Sequence, residues 1–158
     1  IEDAAPGNRF SASEIQGHGC LMERIISKIG RIKEYASIIA TIQDDCLSRF
    51  RNDPIYRGAL LHYLYLVADC CIVLAEQVIK EKGLRTPQSY AEGFDILGEN
   101  KILDPDFAYK FARIAGFRNF LAHDYESVDP DAICSNLAQR LNEVEQFLGQ
   151  IQDSLDLY

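Results

Sequence analysis

The sequence predicts an all-α fold, an up-and-down bundle of about five helices. No segment alternates polar and apolar residues as a half-buried strand does, and apolar residues instead recur at steps of three and four. Four of the five prolines follow an Asp or a Thr. Such pairs indicate helix starts, because the side-chain oxygen accepts first-turn amide hydrogens and proline at the first helical position gives up no needed donor.

The first two helices follow from their apolar residues and their ends. The first covers about residues 22–50, where apolar side chains are spaced by threes and fours: Ile25, Ile29, Ile32, Ala36, Ile39, Cys46 and Phe50. The second begins at Asp53-Pro54 and runs to about residue 82, before Gly83, a typical C-terminal cap. Because its middle is apolar on almost every side, we expect it to be the central, buried helix.

The remaining three helices each follow one of the other proline pairs. The third is short, about 88–97, and follows Thr86-Pro87. The fourth spans about 105–123 after Asp104-Pro105, and the fifth spans about 130–156 after Asp129-Pro130. The fifth carries apolar residues at alternating steps of four and three, as bundle helices do: Leu137, Leu141, Val144, Leu148, Ile151 and Leu155.

Composition limits the classes of protein that fit. A length of 158 residues is enough for one domain with a core, and a net charge of −8 argues against a broad nucleic-acid-binding surface. The cysteines are odd in number and lack zinc-site spacing: Cys20, Cys46, Cys70, Cys71 and Cys134. We interpret them as small hydrophobic residues in a reducing cytosol rather than as a disulfide framework, which predicts a cytoplasmic protein.

The N-terminal region and the most apolar segment complete the domain prediction. The segment Leu60–Ala75 contains His62 and Asp69 and is shorter than the roughly 20 residues of a membrane span, so no span is predicted. Residues 1–21 lack the basic start and apolar centre of a signal peptide. Because Met22 is the only methionine, we expect residues 1–21 to be a flexible leader ahead of the natural start. Residues 22–158 would then form the helical bundle.

The segment from Gly116 to Tyr125 carries the clearest functional signal. Along the fourth helix, Arg118 occupies a position where the apolar period calls for a hydrophobic residue. A buried guanidinium needs a compensating partner. One interpretation is a structural salt bridge to Asp69 or Glu76 of the second helix. The other is that Arg118 lines a cleft or a subunit interface and binds a phosphate.

His123 follows Arg118 by five residues, which is about 140° around an ideal helix. The two side chains would share a face only if the helix ended or bulged near Ala122, or if a two-fold dimer brought both pairs into one groove. A histidine at a helix end is also often a simple cap. Lys110 and Arg113 make this stretch locally basic. Phe117 and Phe120 are interpreted as core residues more readily than as base-stacking platforms.

The spacing of Arg118 and His123 is not specific by itself. It occurs a second time in Arg57 and His62, near the start of the second helix. Only the later copy has the full Arg-x4-His-x-Tyr form, with Tyr125 at its end and a polar turn after it. We therefore interpret the earlier copy as structural.

The stretch Ala115-Gly116-Phe117-Arg118-Asn119-Phe120-Leu121-Ala122-His123-Asp124-Tyr125 resembles the signature of the HEPN superfamily, and most closely the HepT-like toxins of prokaryotic toxin–antitoxin pairs. The resemblance extends over about residues 22–157. It implies a metal-independent endoribonuclease that acts without a cofactor as a homodimer, with the signature at the interface. Arg118 and His123 would be the catalytic pair, and Asn119 a supporting polar residue. It also implies a nucleotidyltransferase antitoxin as partner, which silences the nuclease by attaching AMP to Tyr125.

The residue types fit that reaction. The RNA 2′-hydroxyl can attack the adjacent phosphorus and displace the 5′-oxygen, leaving a cyclic phosphate and a 5′-hydroxyl. His123 would accept the hydroxyl proton or supply one to the leaving oxygen. Arg118 would hold the non-bridging oxygens as their negative charge grows, without a metal ion. Lys110 and Arg113 are candidate RNA contacts, with tRNA or mRNA as the substrate.

Two other functions remain open at the level of sequence. The first is a HEPN bundle without nuclease activity, which serves as an interaction module for a nucleotidyltransferase. The second is a bundle that binds nucleotides through Arg118 and does not cleave RNA. No P-loop or other Gly-rich phosphate-binding loop is present in the sequence to favour the second.

Overall fold

The computed structural model describes residues 12–157, which are helical over most of their length and contain no strand. Eight α-helices and one short 3-10 helix follow one another within this part of the chain. Their bounds are α1 Ala12–Ile42, α2 Cys46–Asn52, α3 Pro54–Glu81, α4 Tyr90–Glu99, α5 Pro105–Phe111, α6 Ile114–His123, the 3-10 helix Tyr125–Ser127, α7 Pro130–Cys134 and α8 Leu137–Ser154. The predicted all-α class is confirmed.

Helix α3 is the central helix of the bundle, as its apolar sequence predicts. It packs against α1, α2, α4 and α6, and thirteen of its residues are buried. It is also long and apolar enough to cross a membrane by length and composition, so the shorter segment expected from sequence understates its apolar length. More than half of its most apolar window (56%) is buried inside the bundle. Packing in the core therefore accounts for its apolar surface.

Most of the predicted helix ends are confirmed by their capping contacts. Asp53 accepts hydrogen bonds from the amides of Ile55 and Tyr56 at the start of α3. The carboxylates of Asp104 and Asp129 do the same at α5 and α7. Gly83 follows α3 with a φ of 64°, the left-handed conformation that a glycine adopts at little cost.

The third helix begins later than its proline predicts. Ser89, rather than Thr86, is the residue that caps α4, and its hydroxyl accepts from the amide of Glu92. Thr86-Pro87 therefore lies in the connection between α3 and α4. A Thr-Pro pair is compatible with a helix start, and here Ser89 provides the cap closer to the apolar residues of α4.

The first predicted helix differs at both ends. Helix α1 begins at Ala12, ten residues before the predicted start, so its first ten residues fall within the predicted leader. Residues 1–11 of that leader lie outside the described residues. The helix then ends at Ile42, and a short turn leads into α2. Asp45 lies in this turn with a φ of 55°, a left-handed conformation that Asp tolerates better than most residues.

The fourth and fifth predicted helices are each divided in two. Residues Ala112 and Arg113 separate α5 from α6, yet both keep right-handed helical backbone angles. The amides of Arg113 and Ala115 bond three residues back, to Lys110 and Ala112, which tightens the chain there. Ser135 and Asn136 separate α7 from α8. The apolar period continues through both turns, which is why it predicts single helices.

The cysteine interpretation is wrong for two residues. Cys46 at the start of α2 and Cys134 at the end of α7 form a disulfide, with Cα atoms 5.5 Å apart and a sequence separation of 88. Cys70 and Cys71 are free and buried, and Cys20 is free and exposed. Burial raises the pKa of both buried thiols, with the larger rise at Cys71. These two behave as the hydrophobic residues that were expected.

Candidate active site

Arg118 is held between two helices and two tyrosine rings. Its Nε donates to Oδ1 of Asp69 on α3 at 3.2 Å, and one Nη donates to the hydroxyl of Tyr65 at the same distance. The other Nη donates to Oδ1 of the neighbouring Asn119. The rings of Tyr65 and Tyr90 lie 5.3 and 5.5 Å from the guanidinium carbon, within cation–π range.

These contacts fix Arg118 without using all its donors. A guanidinium has five N–H groups, and within the described part of the chain the three hydrogen bonds leave two without a partner, one on each Nη. The side chain is 20% exposed, so these donors can be reached from solvent. Two N–H groups on the two Nη atoms match the two oxygens of a phosphate or carboxylate. The geometry is therefore that of an anchored arginine with capacity for one oxyanion.

The salt bridge expected as one interpretation of Arg118 is present. Asp69 is the partner, and the alternative candidate Glu76 is exposed on the same helix. The salt bridge does not occupy all the hydrogen-bond donors of Arg118, however, because Asp69 accepts from only one of them. The structural and phosphate-binding interpretations are thus compatible: the carboxylate orients a guanidinium that keeps two N–H groups without a partner among the described residues.

His123 does not join Arg118 within one chain. Helix α6 ends near Ala122, as one alternative required, but it still includes His123, so both residues lie on one continuous helix. Over five helical residues the two side chains diverge by about 140° and are displaced by about 7.5 Å along the axis. Among the described residues, neither a hydrogen bond nor an ion pair links them. His123 itself is exposed.

Tyr125 lies just past the helix, in the 3-10 turn, and its side chain is 55% exposed. Its position relative to Arg118 therefore does not follow from the geometry of α6. It lines a cavity of about 580 Å³ with residues of α2 and α3, including Phe50, Arg51 and Arg57. Tyr125 thus lines the same cavity as Arg51 and Arg57. Arg118 instead contacts the tyrosines Tyr65 and Tyr90.

The earlier Arg-x4-His copy has a structural role, as interpreted from sequence. Arg57 donates to the carbonyl oxygen of Phe50 at 3.1 Å and lies over the Phe50 ring, which ties α3 to α2. His62 is exposed and contacts the edge of the Tyr63 ring. What the sequence does not indicate is that Arg57 also reaches the cavity that Tyr125 lines.

The predicted RNA contacts lie at the end of α5 and in its connection to α6. Lys110 and Arg113 are exposed and line a separate cavity together with Phe117 and Arg140 of α8. Phe117 and Phe120 are partly buried against the core, as expected. Sequence reasoning missed Tyr65, Tyr90 and Arg140. Tyr65 could have been found because it lies one helical turn before Asp69, on the same face of α3.

The described residues contain no group of three or more His, Cys, Asp or Glu side chains close enough to hold a metal ion. An anchored arginine and an exposed histidine on one helix of an all-α bundle have the form expected of a HEPN-type ribonuclease.

Comparison with known proteins agrees with this form. Residues 25–151 match the family model described as Ribonuclease HepT-like, and the chain belongs to this family. The mRNA nuclease HepT of Shewanella oneidensis is 27% identical over 128 residues, covering 81% of this chain and 96% of the relative. The tRNA nuclease HepT of Aphanizomenon flos-aquae is 28% identical over 138 residues, covering 85% and 90%.

A solved structure shows the same bundle in an assembly. The tri-AMPylated HEPN toxin of Shewanella oneidensis, in complex with MNT antitoxin, superposes with a TM-score of 0.73 at 26% identity. The match covers 82% of this chain and 96% of that one. The chain is thus similar to ribonucleases over most of its length.

Proposed function

We propose that this protein is the toxin of a toxin–antitoxin pair, a metal-independent endoribonuclease in which Arg118 and His123 form the catalytic pair. Arg118 binds the non-bridging oxygens of the scissile phosphate, and Asn119 supports it from the same helix. His123 transfers the proton. The bond from O2′ to phosphorus forms while the bond from phosphorus to O5′ breaks, which leaves a 2′,3′-cyclic phosphate and a 5′-hydroxyl.

The observation that carries this proposal is the arrangement of the Arg118 donors. Asp69, Tyr65 and Asn119 hold the guanidinium in place and leave two N–H groups for an oxyanion. A preorganised donor pair of this kind stabilises developing charge without reorganising during the reaction. Membership of the ribonuclease family and the mRNA and tRNA nucleases among the relatives support RNA as the substrate.

The active form in this proposal is a homodimer. Because Arg118 and His123 diverge on a continuous helix, one chain alone does not assemble the pair. A two-fold axis beside α6 would bring His123 of one chain beside Arg118 of the other. Such an axis repeats the arrangement in both directions, so that two equivalent Arg–His pairs form at one interface.

The proposed partner is a nucleotidyltransferase antitoxin that transfers AMP to Tyr125. The assembly of the similar Shewanella toxin, AMPylated and bound to its antitoxin, supports this partner. The 55% exposure of Tyr125 makes its hydroxyl accessible to a transferase. We place the protein in the cytoplasm, with RNA and antitoxin. The Cys46–Cys134 disulfide counts against that location, since disulfides are uncommon there.

The divergence of Arg118 and His123 also favours a second candidate function. If no dimer assembles the pair, the same exposed segment would serve only as an interaction surface for the nucleotidyltransferase. The chain would then bind its partner and leave RNA intact.

Incubation of the purified chain with total tRNA and with a defined mRNA, in excess EDTA, tests the function. Mass spectrometry should first show that Tyr125 is unmodified. We expect cleavage that yields 5′-hydroxyl ends, because neither proposed catalytic group needs a metal ion. Intact RNA after incubation with a folded, unmodified dimer would instead support the interaction module, and cleavage that EDTA prevents would contradict the metal-free mechanism.

Asp69 is expected to act as a positioning residue for Arg118. Asp69→Ala should lower the cleavage rate by about 10- to 100-fold, because a misplaced guanidinium no longer meets the phosphate. Asp69→Asn is the matched variant, since its amide oxygen can still accept the Arg118 Nε–H and should preserve most of the rate. Both changes should alter the free energy of unfolding by less than about 1 kcal/mol, because the pair is partly exposed. Equal cleavage by wild type and Asp69→Ala would exclude this role.

A further inference from the structure

A cavity of about 440 Å³ lies between the α5–α6 pair and α8, above residues of α1 and α3. Its walls are apolar, with Leu64 and Val67 from α3 and Phe111 from α5. Its charged lining consists of Lys110, Arg113, Arg140 and a single acid, Glu143. We call this cavity the cationic groove. Its volume falls within the range of about 300–1,000 Å³ typical of small-ligand sites.

The three cations of the cationic groove lack carboxylate partners. Within the described part of the chain, none of them forms an ion pair. The Arg113 Nε donates to the carbonyl oxygen of Lys110 at 3.1 Å, and the Arg140 guanidinium lies over the Phe117 ring at 4.3 Å. The groove therefore has an excess of two positive charges in a protein whose net charge is −8.

This clustering has an electrostatic cost. Partial burial lowers the pKa of the Arg140 guanidinium from its ordinary value. Glu143 raises this pKa, and the charge of Arg113 lowers it again, so the two arginines repel one another. A bound anion would relieve both the repulsion and the loss of hydration. An anionic ligand is thus the occupant that the charges favour.

The apolar walls of the cationic groove favour an anion that also carries an apolar group. An inorganic phosphate would leave Leu64, Val67 and Phe111 without a contact, whereas a nucleotide offers a base with apolar faces next to its phosphate. The groove also adjoins the candidate active site, because Phe117 and Arg118 are consecutive residues of α6. They point about 100° apart around the helix axis. A strand that crosses α6 would therefore meet the groove and Arg118 in succession.

We propose that the cationic groove binds one nucleotide unit of the RNA strand, at a position separate from the scissile phosphate. Arg113 and Arg140 hold the phosphate, Lys110 adds to the positive potential, and the base contacts the apolar walls. The identity of the ligand as RNA rests on the proposed function. The groove itself is inferred from the cavity and its unpaired cations.

The test is the affinity for a fluorescein-labelled, 2′-O-methylated oligonucleotide, which lacks the attacking hydroxyl and so separates binding from cleavage. Arg140→Gln should raise the Kd by at least about tenfold, the loss expected when a charged hydrogen-bond donor is removed. The slope of log Kd against log salt concentration should also fall by about 0.7, the contribution of one phosphate contact to a single strand. Arg113→Gln should behave alike.

The matched control is Arg24→Gln, which removes the same charge from an exposed position on α1 outside the groove. It should leave affinity, salt slope and cleavage unchanged, and melting curves should confirm that all variants are folded. Equal Kd values for Arg140→Gln and Arg24→Gln, with wild-type cleavage intact, would overturn the groove and leave the proposed function standing. A wild-type protein that neither binds nor cleaves RNA would overturn both.

Competitors identify the source of the ligand. AMP should displace the oligonucleotide only at much higher concentration than an unlabelled strand does, because the strand also contacts Arg118. Equal displacement by AMP would assign the groove to a free nucleotide and overturn the RNA subsite. Tight binding of a poly-glutamate peptide, weakened by Arg140→Gln, would do so as well, by assigning the groove to an acidic protein segment.

Discussion

Replacing His123 with alanine is expected to lower the rate of RNA cleavage by about 10²–10⁴-fold, the usual contribution of a general acid or base. Arg118→Ala should lower it by about 10²–10³-fold, as loss of an oxyanion donor does. The melting temperature of His123→Ala should hardly change, because the histidine is exposed and ends its helix. A large drop in melting temperature would instead assign His123 a structural role.

Mixing the two inactive variants tests how the pair is assembled. If each pair combines residues of two chains, a dimer of one Arg118→Ala chain and one His123→Ala chain contains one intact pair. Random mixing should then restore roughly a quarter of the wild-type rate, since half the dimers are mixed and each has one of two pairs. The rate should be measured after unfolding and refolding the variants together, with separately refolded samples as the control.

The outcome separates two arrangements. A pair formed within one chain would show no restoration on mixing, because every chain in the mixture lacks one of its two groups. That result would contradict the assembly inferred from the continuous α6 helix. Restored cleavage would show that Arg118 of one chain acts with His123 of the other, as their divergence by about 140° around α6 requires.

Tyr125→Phe is expected to abolish silencing by the antitoxin while preserving cleavage within about twofold. AMP transfer forms a bond between the tyrosine oxygen and the α-phosphorus of ATP and releases pyrophosphate, so phenylalanine offers no acceptor. Tyr125 follows His123 by two residues. A nucleotide attached to it would occupy the cavity that Tyr125 lines together with Arg51 and Arg57. Its bulk and charge should there obstruct the approach of RNA.

The measurement is cleavage before and after incubation with the nucleotidyltransferase and ATP, with intact mass recorded in parallel. Tyr109→Phe is a suitable control, since Tyr109 is a highly exposed tyrosine on α5 outside this cavity. It should still gain mass and lose activity. A mass gain on Tyr125→Phe, or silencing without any mass gain, would contradict modification at this residue.

Helix positions were largely predictable because they depend on local chemistry. The carboxylates of Asp53, Asp104 and Asp129 cap helices wherever they stand before a proline, and no long-range contact is needed. The interruptions around Asp45 and Ala112 were not predictable in the same way. A turn of two or three residues barely disturbs an apolar period, so the pattern continues across it.

The site was predictable only in part, for a related reason. The residues of the signature lie within one continuous segment, so Arg118, His123 and Tyr125 could be singled out from the local sequence and its resemblance to a family signature. Asp69 was one of two candidates for the partner of Arg118, and only the packing of α3 against α6 distinguishes them. Arg140 lies on another helix, 22 residues after Arg118, and its approach to Arg113 depends on tertiary structure.

The Cys46–Cys134 disulfide divides the molecule topologically. It closes residues 46–134 into a covalent ring that contains Arg118, His123 and Tyr125. Helices α1 and α8 lie outside the ring, and the two pack against one another. A single cut in the backbone of the ring, for example between α3 and α4, would leave both fragments attached to each other. In the oxidised protein the proposed catalytic residues thus belong to a covalently closed ring, and the two helices that complete its core lie on chain segments outside that ring.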